Sequence, residues 1–116
     1  MTPERLFHFI ATSVFEDAAK KLLTEEDRHR LEQLLLRDPL VGRVIEHTGG
    51  VRKMRFARPS RREGKSSGTR VIYYFVDRKD RVYLIDVYGK TMKADLTRAE
   101  ENRLRKLAKL LDEEES

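Results

Sequence analysis

The stretch from Val51 to Tyr88 most constrains the fold. It holds three runs in which apolar and polar residues alternate: Val51 to Ala57, Thr69 to Val76 and Arg81 to Tyr88. Alternation at period two marks strands with one buried face. The last two runs are joined only by Asp77-Arg78-Lys79-Asp80, a length that suits an antiparallel pair. The alternation puts Met54, Phe56, Val71, Tyr73, Phe75, Tyr83, Ile85 and Val87 on one face. The other face receives Lys53, Arg55, Arg70, Tyr74, Asp86 and Tyr88, and a bulge in any strand would exchange part of the two sets.

Helices are expected to cover the apolar face. Arg5 to Ala11 reads as a first strand. Thr12 and Ser13 both offer an N-cap, and Ser13-Val14-Phe15-Glu16 fits a capping box, opening a helix to about Leu23. Thr24-Glu25-Glu26-Asp27 opens a second helix, with acids in its first turn and leucines at 31, 34 and 35 on one stripe; Asp38-Pro39 ends it. Leu40 to Gly50 is read as a connector. Thr97-Arg98-Ala99-Glu100 is a further capping box, before a helix to about Leu111. The expected order is β-α-α-β-β-β-α. This is an α+β fold, a twisted antiparallel sheet packed on an N-terminal helical hairpin and a C-terminal helix. Residues 1–116 are expected to form one domain, with 112–116 as a frayed acidic tail.

Charge is concentrated in one place. Between Val51 and Arg70 lie eight basic residues and one acid, Glu63, for a segment charge of +7; the rest of the chain sums to −2. Such focusing draws in polyanions, RNA above all. No apolar run is long enough to span a bilayer, and the N-terminus lacks the pattern of a signal peptide. Cysteine is absent, which removes disulfides and thiol nucleophiles and fits a cytoplasmic protein. His8, His29 and His47 lack metal-ligand spacing, so no metal or other cofactor is expected. Gly64-Lys65-Ser66 lacks the first glycine of a phosphate loop.

The pieces TGG-x-RK-x-R at Thr48 to Arg55, GK-x-x-G-x-RVIYY at Gly64 to Tyr74, and YGK at Tyr88 to Lys90 together resemble the RelE/ParE superfamily of bacterial toxins. The HigB type of RelE-like toxin is the nearest branch. The resemblance implies a type II toxin–antitoxin toxin, a metal-independent endoribonuclease (an mRNA interferase) cleaving messages in the ribosomal A site. It further implies contact with ribosomal RNA and a cognate antitoxin, expected to be of helix-turn-helix type.

RNA brings its own nucleophile, the 2′-OH. An enzyme has to help deprotonate it, stabilise the phosphorane and protonate the leaving 5′ oxygen. Crowded cations serve the second need directly, and arginine's planar fork suits bidentate phosphate contact. Carried over by position, the resemblance makes Lys53 the base or base-assisting group and Arg55 and Arg70 the phosphate stabilisers. It makes Lys90 a further catalytic cation. Arg52, Arg58, Arg61, Arg62, Lys65 and Lys93 are expected to bind RNA. The family pattern has an arginine where this chain has Thr91, and a base-stacking tyrosine where it has Thr97. Tyr74 and Tyr88 are the candidates to replace that tyrosine, and Asp86 is expected to orient or neutralise an arginine. Two other functions suit the same fold: a ParE-like gyrase inhibitor, which needs no basic cleavage cluster, and a non-catalytic RNA-binding module.

Overall fold

The computed structural model describes residues 6–62, 68–90 and 95–114. The element order is β1 (His8–Ala11), α1 (Ser13–Leu22), α2 (Glu25–Arg37), β2 (Arg43–Val44), β3 (Arg52–Phe56), β4 (Thr69–Val76), β5 (Arg81–Gly89) and α3 (Arg98–Glu113), with short 3₁₀ turns at Pro59–Arg61 and Asp77–Lys79. This is the expected α+β arrangement with one more strand, since β2 forms inside the stretch read as a connector. The sheet order is β1-β5-β4-β3-β2. Pairing is antiparallel from β2 to β5 and parallel between β1 and β5, so the sheet is mixed rather than wholly antiparallel. The α1–α2 hairpin separates β1 from the rest of the sheet and gives the chain the length a parallel return needs.

Capping sets the helix starts. Thr24 accepts from the Asp27 amide while the Asp27 carboxylate accepts from the Thr24 amide, a reciprocal box. Thr97 and Glu100 do the same for α3. At α1 the cap is Thr12 instead of Ser13. Its hydroxyl accepts from the Phe15 amide at 3.1 Å and donates to the Ile85 carbonyl at 2.7 Å, so one side chain starts the helix and ties it to β5. Glu16 is thereby released from capping and pairs with Arg28 of α2. The Arg28 guanidinium also lies 5.3 Å from the centre of the Phe15 ring.

Both faces of the sheet carry a core. On one face, Phe15, Ala19, Leu31 and Leu35 of the hairpin pack on Met54, Phe56, Val71, Tyr73, Val82, Leu84 and Val87. On the other, Leu104, Leu107 and Ala108 of α3 pack with Val51, Ile72, Tyr74, Ile85 and Tyr88. The expected face assignment holds for β3 and β4 and breaks within β5. There the pairing shifts between Ile72↔Asp86 and Tyr73↔Leu84, leaving Ile85 as the extra residue. Beyond this irregularity the alternation is reversed. Tyr83 and Ile85 therefore join the α3 face, and Val82 and Leu84 take the hairpin side. Asp112 and Glu113 belong to α3, and Arg78, Lys79 and Tyr83 bind its end through Asp112 and Glu114. Among the described residues no helix is long and apolar enough to cross a membrane.

Asp27 fastens the loop after β3 to the hairpin. It is fully buried. Besides the Thr24 amide, its carboxylate accepts from the Ser60 amide at 3.0 Å and the Ser60 hydroxyl at 2.6 Å. Burial alone would raise this carboxyl's pKa; the hydrogen bonds from Ser60 and Thr24 together outweigh it and hold the pKa below its ordinary value. A depressed carboxyl stabilises the fold at pH values above the unfolded pKa and loses that contribution as pH falls through the folded one. Asp27→Asn is expected to lower stability by about 2–3 kcal/mol near neutral pH. The gap from wild type in urea midpoint should shrink below about pH 4. Equal midpoints at neutral pH would show that the clamp carries no stability.

Candidate nucleic-acid interface

The site is built around the β2–β3 hairpin. Its turn contains three successive devices. His47, Gly49 and Gly50 all have positive φ, at 66°, 76° and 115°, a region in which glycine is at ease. The buried Thr48 hydroxyl donates to the Ile45 carbonyl at 2.6 Å and accepts from the Val51 amide at 3.1 Å. Ile45 and Val51 then exchange a backbone bond of 2.8 Å. The Thr48-Gly49-Gly50 motif is thus the fastening of a hairpin, and it sets Arg43 opposite Lys53 and Val44 opposite Arg52.

A second fastening lies on the hairpin-helix side of the sheet. The Tyr73 hydroxyl donates to the Pro39 carbonyl at 2.7 Å and accepts from the Gly42 amide at 2.9 Å. Burial pushes the Tyr73 phenol upward in pKa, which keeps it a proton donor. The Arg52 guanidinium donates to the carbonyls of Gly42 at 2.6 Å and Leu40 at 3.2 Å. A Cβ at Gly42 would lie 2.8 Å from the Tyr73 ring and 3.1 Å from the Lys53 carbonyl, so only glycine lets the chain pass this close.

These constraints create a groove of about 780 Å³ on the α3 side of the sheet, beyond the helix. Arg43, Lys53, Arg55 and Arg70 line it, with Val41, Val44, Ile45, Glu46, Met54 and Asp95 completing the walls. Arg55 stands directly opposite Arg70 in the β3–β4 ladder, and side chains at such positions lie close together. Among the described residues none of the four groove cations has a carboxylate within ion-pair distance, whereas Arg28, Arg78 and Arg98 each do. Like charges placed opposite one another destabilise a sheet, and an anion between them reverses the sign. The arrangement is suited to hold phosphate.

Of the expected site residues, Lys53, Arg55 and Arg70 are brought together here. Lys90 is exposed just past β5, where its amide donates to the Gly68 carbonyl at 3.1 Å, outside the groove wall. Arg61 and Arg62 are exposed on the turn after β3. Arg52 and Arg58 are engaged in holding the fold, Arg58 through a 2.8 Å bond to the Leu22 carbonyl at the end of α1. Tyr88 is 4% exposed in the α3 core, and Tyr74 is half-buried against the same cluster. Both expectations of an open stacking ring meet the same obstacle: α3 covers the part of the face on which these tyrosines lie. Asp86 accepts from the Val87 amide and lines a separate apolar groove under α3, whose wall also includes Arg103. Lys65, Lys93 and Thr91 lie outside the described residues. Thr97 is the α3 cap.

Arg43 was missed by reading Leu40 to Gly50 as a connector. Its signal was Val44-Ile45 followed by Thr48-Gly49-Gly50, a short β-branched run before a turn. Glu46 and Asp95, both exposed on the groove wall, were also missed. Among the described residues no three of His, Asp and Glu converge as metal ligands.

The family model for the RelE toxin of the RelE/RelB toxin–antitoxin system matches residues 42–116. These span every strand that lines the groove, and α3. Among solved structures, a double arginine-to-alanine variant of the E. coli toxin RelE in the free state is similar, with a TM-score of 0.57 and 19% sequence identity. The match covers 84% of this chain and 96% of that one, and at that identity the likeness is one of fold.

The like-charge pair gives a test independent of any substrate. Arg55→Gln should raise stability by roughly 0.2–1 kcal/mol, since it removes cross-strand repulsion. The expected result is a higher urea midpoint at unchanged slope. A lower midpoint would mean that Arg55 serves the fold.

Proposed function

The chain belongs to the RelE toxin family, and from that premise we propose that it is an endoribonuclease that cleaves mRNA on translating ribosomes and is held inactive by a cognate antitoxin. The observation that carries this reading is the Arg55–Arg70 pair, two facing cations on an uncovered part of the sheet. In the proposed reaction the 2′-OH attacks its own 3′ phosphate, with Lys53 assisting removal of the hydroxyl proton. Arg55 and Arg70 hold the non-bridging oxygens as negative charge builds on the phosphorane, and their prior placement by the ladder means little reorganisation at the moment of reaction. The bond to the 5′ oxygen breaks, the leaving oxygen takes a proton, and a 2′,3′-cyclic phosphate remains. Lys90 adds positive charge near the strand end that carries Arg70. In this mechanism the charge stabilisation comes from side chains.

Arg61 and Arg62, on the exposed turn, are proposed to grip ribosomal or messenger RNA through its backbone without sequence selectivity. Arg52 and Arg58 also hold the fold through their bonds to the Gly42, Leu40 and Leu22 carbonyls. Tyr74 and Tyr88 are likewise left to the core.

The reading predicts that purified protein cuts a defined message in a translation extract only while ribosomes move along it. Lys53→Ala and Arg70→Ala should each slow cleavage by about 10²-fold or more with unchanged circular dichroism. A 2′-deoxy substitution at the cleaved position should abolish the cut. RNA binding without cleavage would favour a non-catalytic module. Intact mRNA alongside DNA damage in arrested cells would favour a gyrase poison.

A further inference from the structure

We infer that the groove holds two consecutive phosphates of a single-stranded RNA, and that Arg43 of β2, facing Lys53, grips the second of them. The inference rests on the reading of the groove as an RNA site. Its geometry comes from the strand register. Arg43 faces Lys53 across β2–β3, and Arg55 faces Arg70 across β3–β4. Paired residues point to the same side of a sheet, and all four line one groove. They form two cationic rows. Lys53 and Arg55 are two residues apart on one strand, so the rows are offset by about 6.8 Å along β3. That offset matches the repeat of phosphates in an extended single strand. An RNA backbone lying along β3 would place one phosphate at each row.

The remaining walls agree with such a ligand. Val41, Val44 and Ile45 give one apolar wall, suited to a ribose and a base. Glu46 and Asp95 bring negative charge to the same walls. A carboxylate repels phosphate, so these two discourage an anionic track from spreading beyond the two rows. Arg43 is exposed on a two-residue edge strand and contributes nothing to the core, while the Thr48 turn and the Tyr73–Gly42 contact hold its backbone in place.

The test uses NMR titration of the full chain with 2′-O-methyl oligonucleotides, which cannot be cleaved. A dinucleotide offers one internal phosphate and a trinucleotide offers two. Arg43→Ala should bind the dinucleotide within about twofold of wild type and the trinucleotide about tenfold more weakly, the loss of one charge-assisted contact. For the trinucleotide, the slope of log affinity against log salt should fall by about 0.7. Arg43→Lys should restore most of the slope. Wild-type affinity for Arg43→Ala on the trinucleotide would overturn the assignment of Arg43 and leave the RNA reading standing. Equal weakening on both oligomers would overturn the two-row arrangement. Failure of the wild type to bind either would overturn the RNA reading, and this inference with it.

Discussion

Along β4, the residues on the α3 side run Arg70, Ile72, Tyr74, and this gradient decides what α3 covers. The neighbouring strand repeats it, from Arg55 through Lys53 to Val51. At the apolar end Leu104, Leu107 and Ala108 find Val51, Ile72 and Tyr74, and their contact removes apolar surface from water. At the other end, a covering helix would bury arginines without partners, at a cost of several kcal/mol per charge. The helix therefore covers one part of the face and leaves the rest as a groove. Fold and site depend on the same switch from apolar to cationic residues along two strands.

The basic segment of the chain thus divides by duty. Arg52 braces the approach to β2, and Arg58 binds the end of α1. Asp27 draws the turn at Ser60 onto the hairpin. These contacts hold β2 and the loop after β3 in place. Among the described residues of this segment, those left facing solvent or one another are Lys53, Arg55, Arg70, Arg61 and Arg62. In the sequence all of them look alike. A guanidinium bound to a carbonyl from a distant element contributes to the fold, and one placed opposite another guanidinium does not.

Much of this was legible before any coordinates. Strand boundaries at Thr69–Val76, the reciprocal cap of Thr97 and Glu100 and the stop at Asp38-Pro39 follow from local chemistry, and the structure reproduces them. Lys53, Arg55 and Arg70 are legible because β3 and β4 pair without irregularity. What escaped depended on tertiary context. The irregularity at Ile85 reverses the faces of the first half of β5, and period two carries no warning of it. Of the two candidate caps of α1, Thr12 takes the role, and its hydroxyl also reaches the Ile85 carbonyl. Strand β2 has two residues, too few for a pattern, and exists because Thr48 and Tyr73 hold it. Tyr88 looked open because the reach of α3 across the sheet is not written in either element alone.

The central claim is that Arg55 and Arg70 are held face to face at the expense of the fold, for the sake of a phosphate. A double-mutant cycle at these two positions, with glutamine at each and unfolding followed in urea, measures their coupling directly. The cycle is run without and with a saturating 2′-O-methyl RNA. The account predicts coupling that destabilises the free protein, by roughly 0.2–1 kcal/mol, and becomes favourable when RNA is bound. Favourable or zero coupling in the free protein, unchanged by RNA, would contradict it.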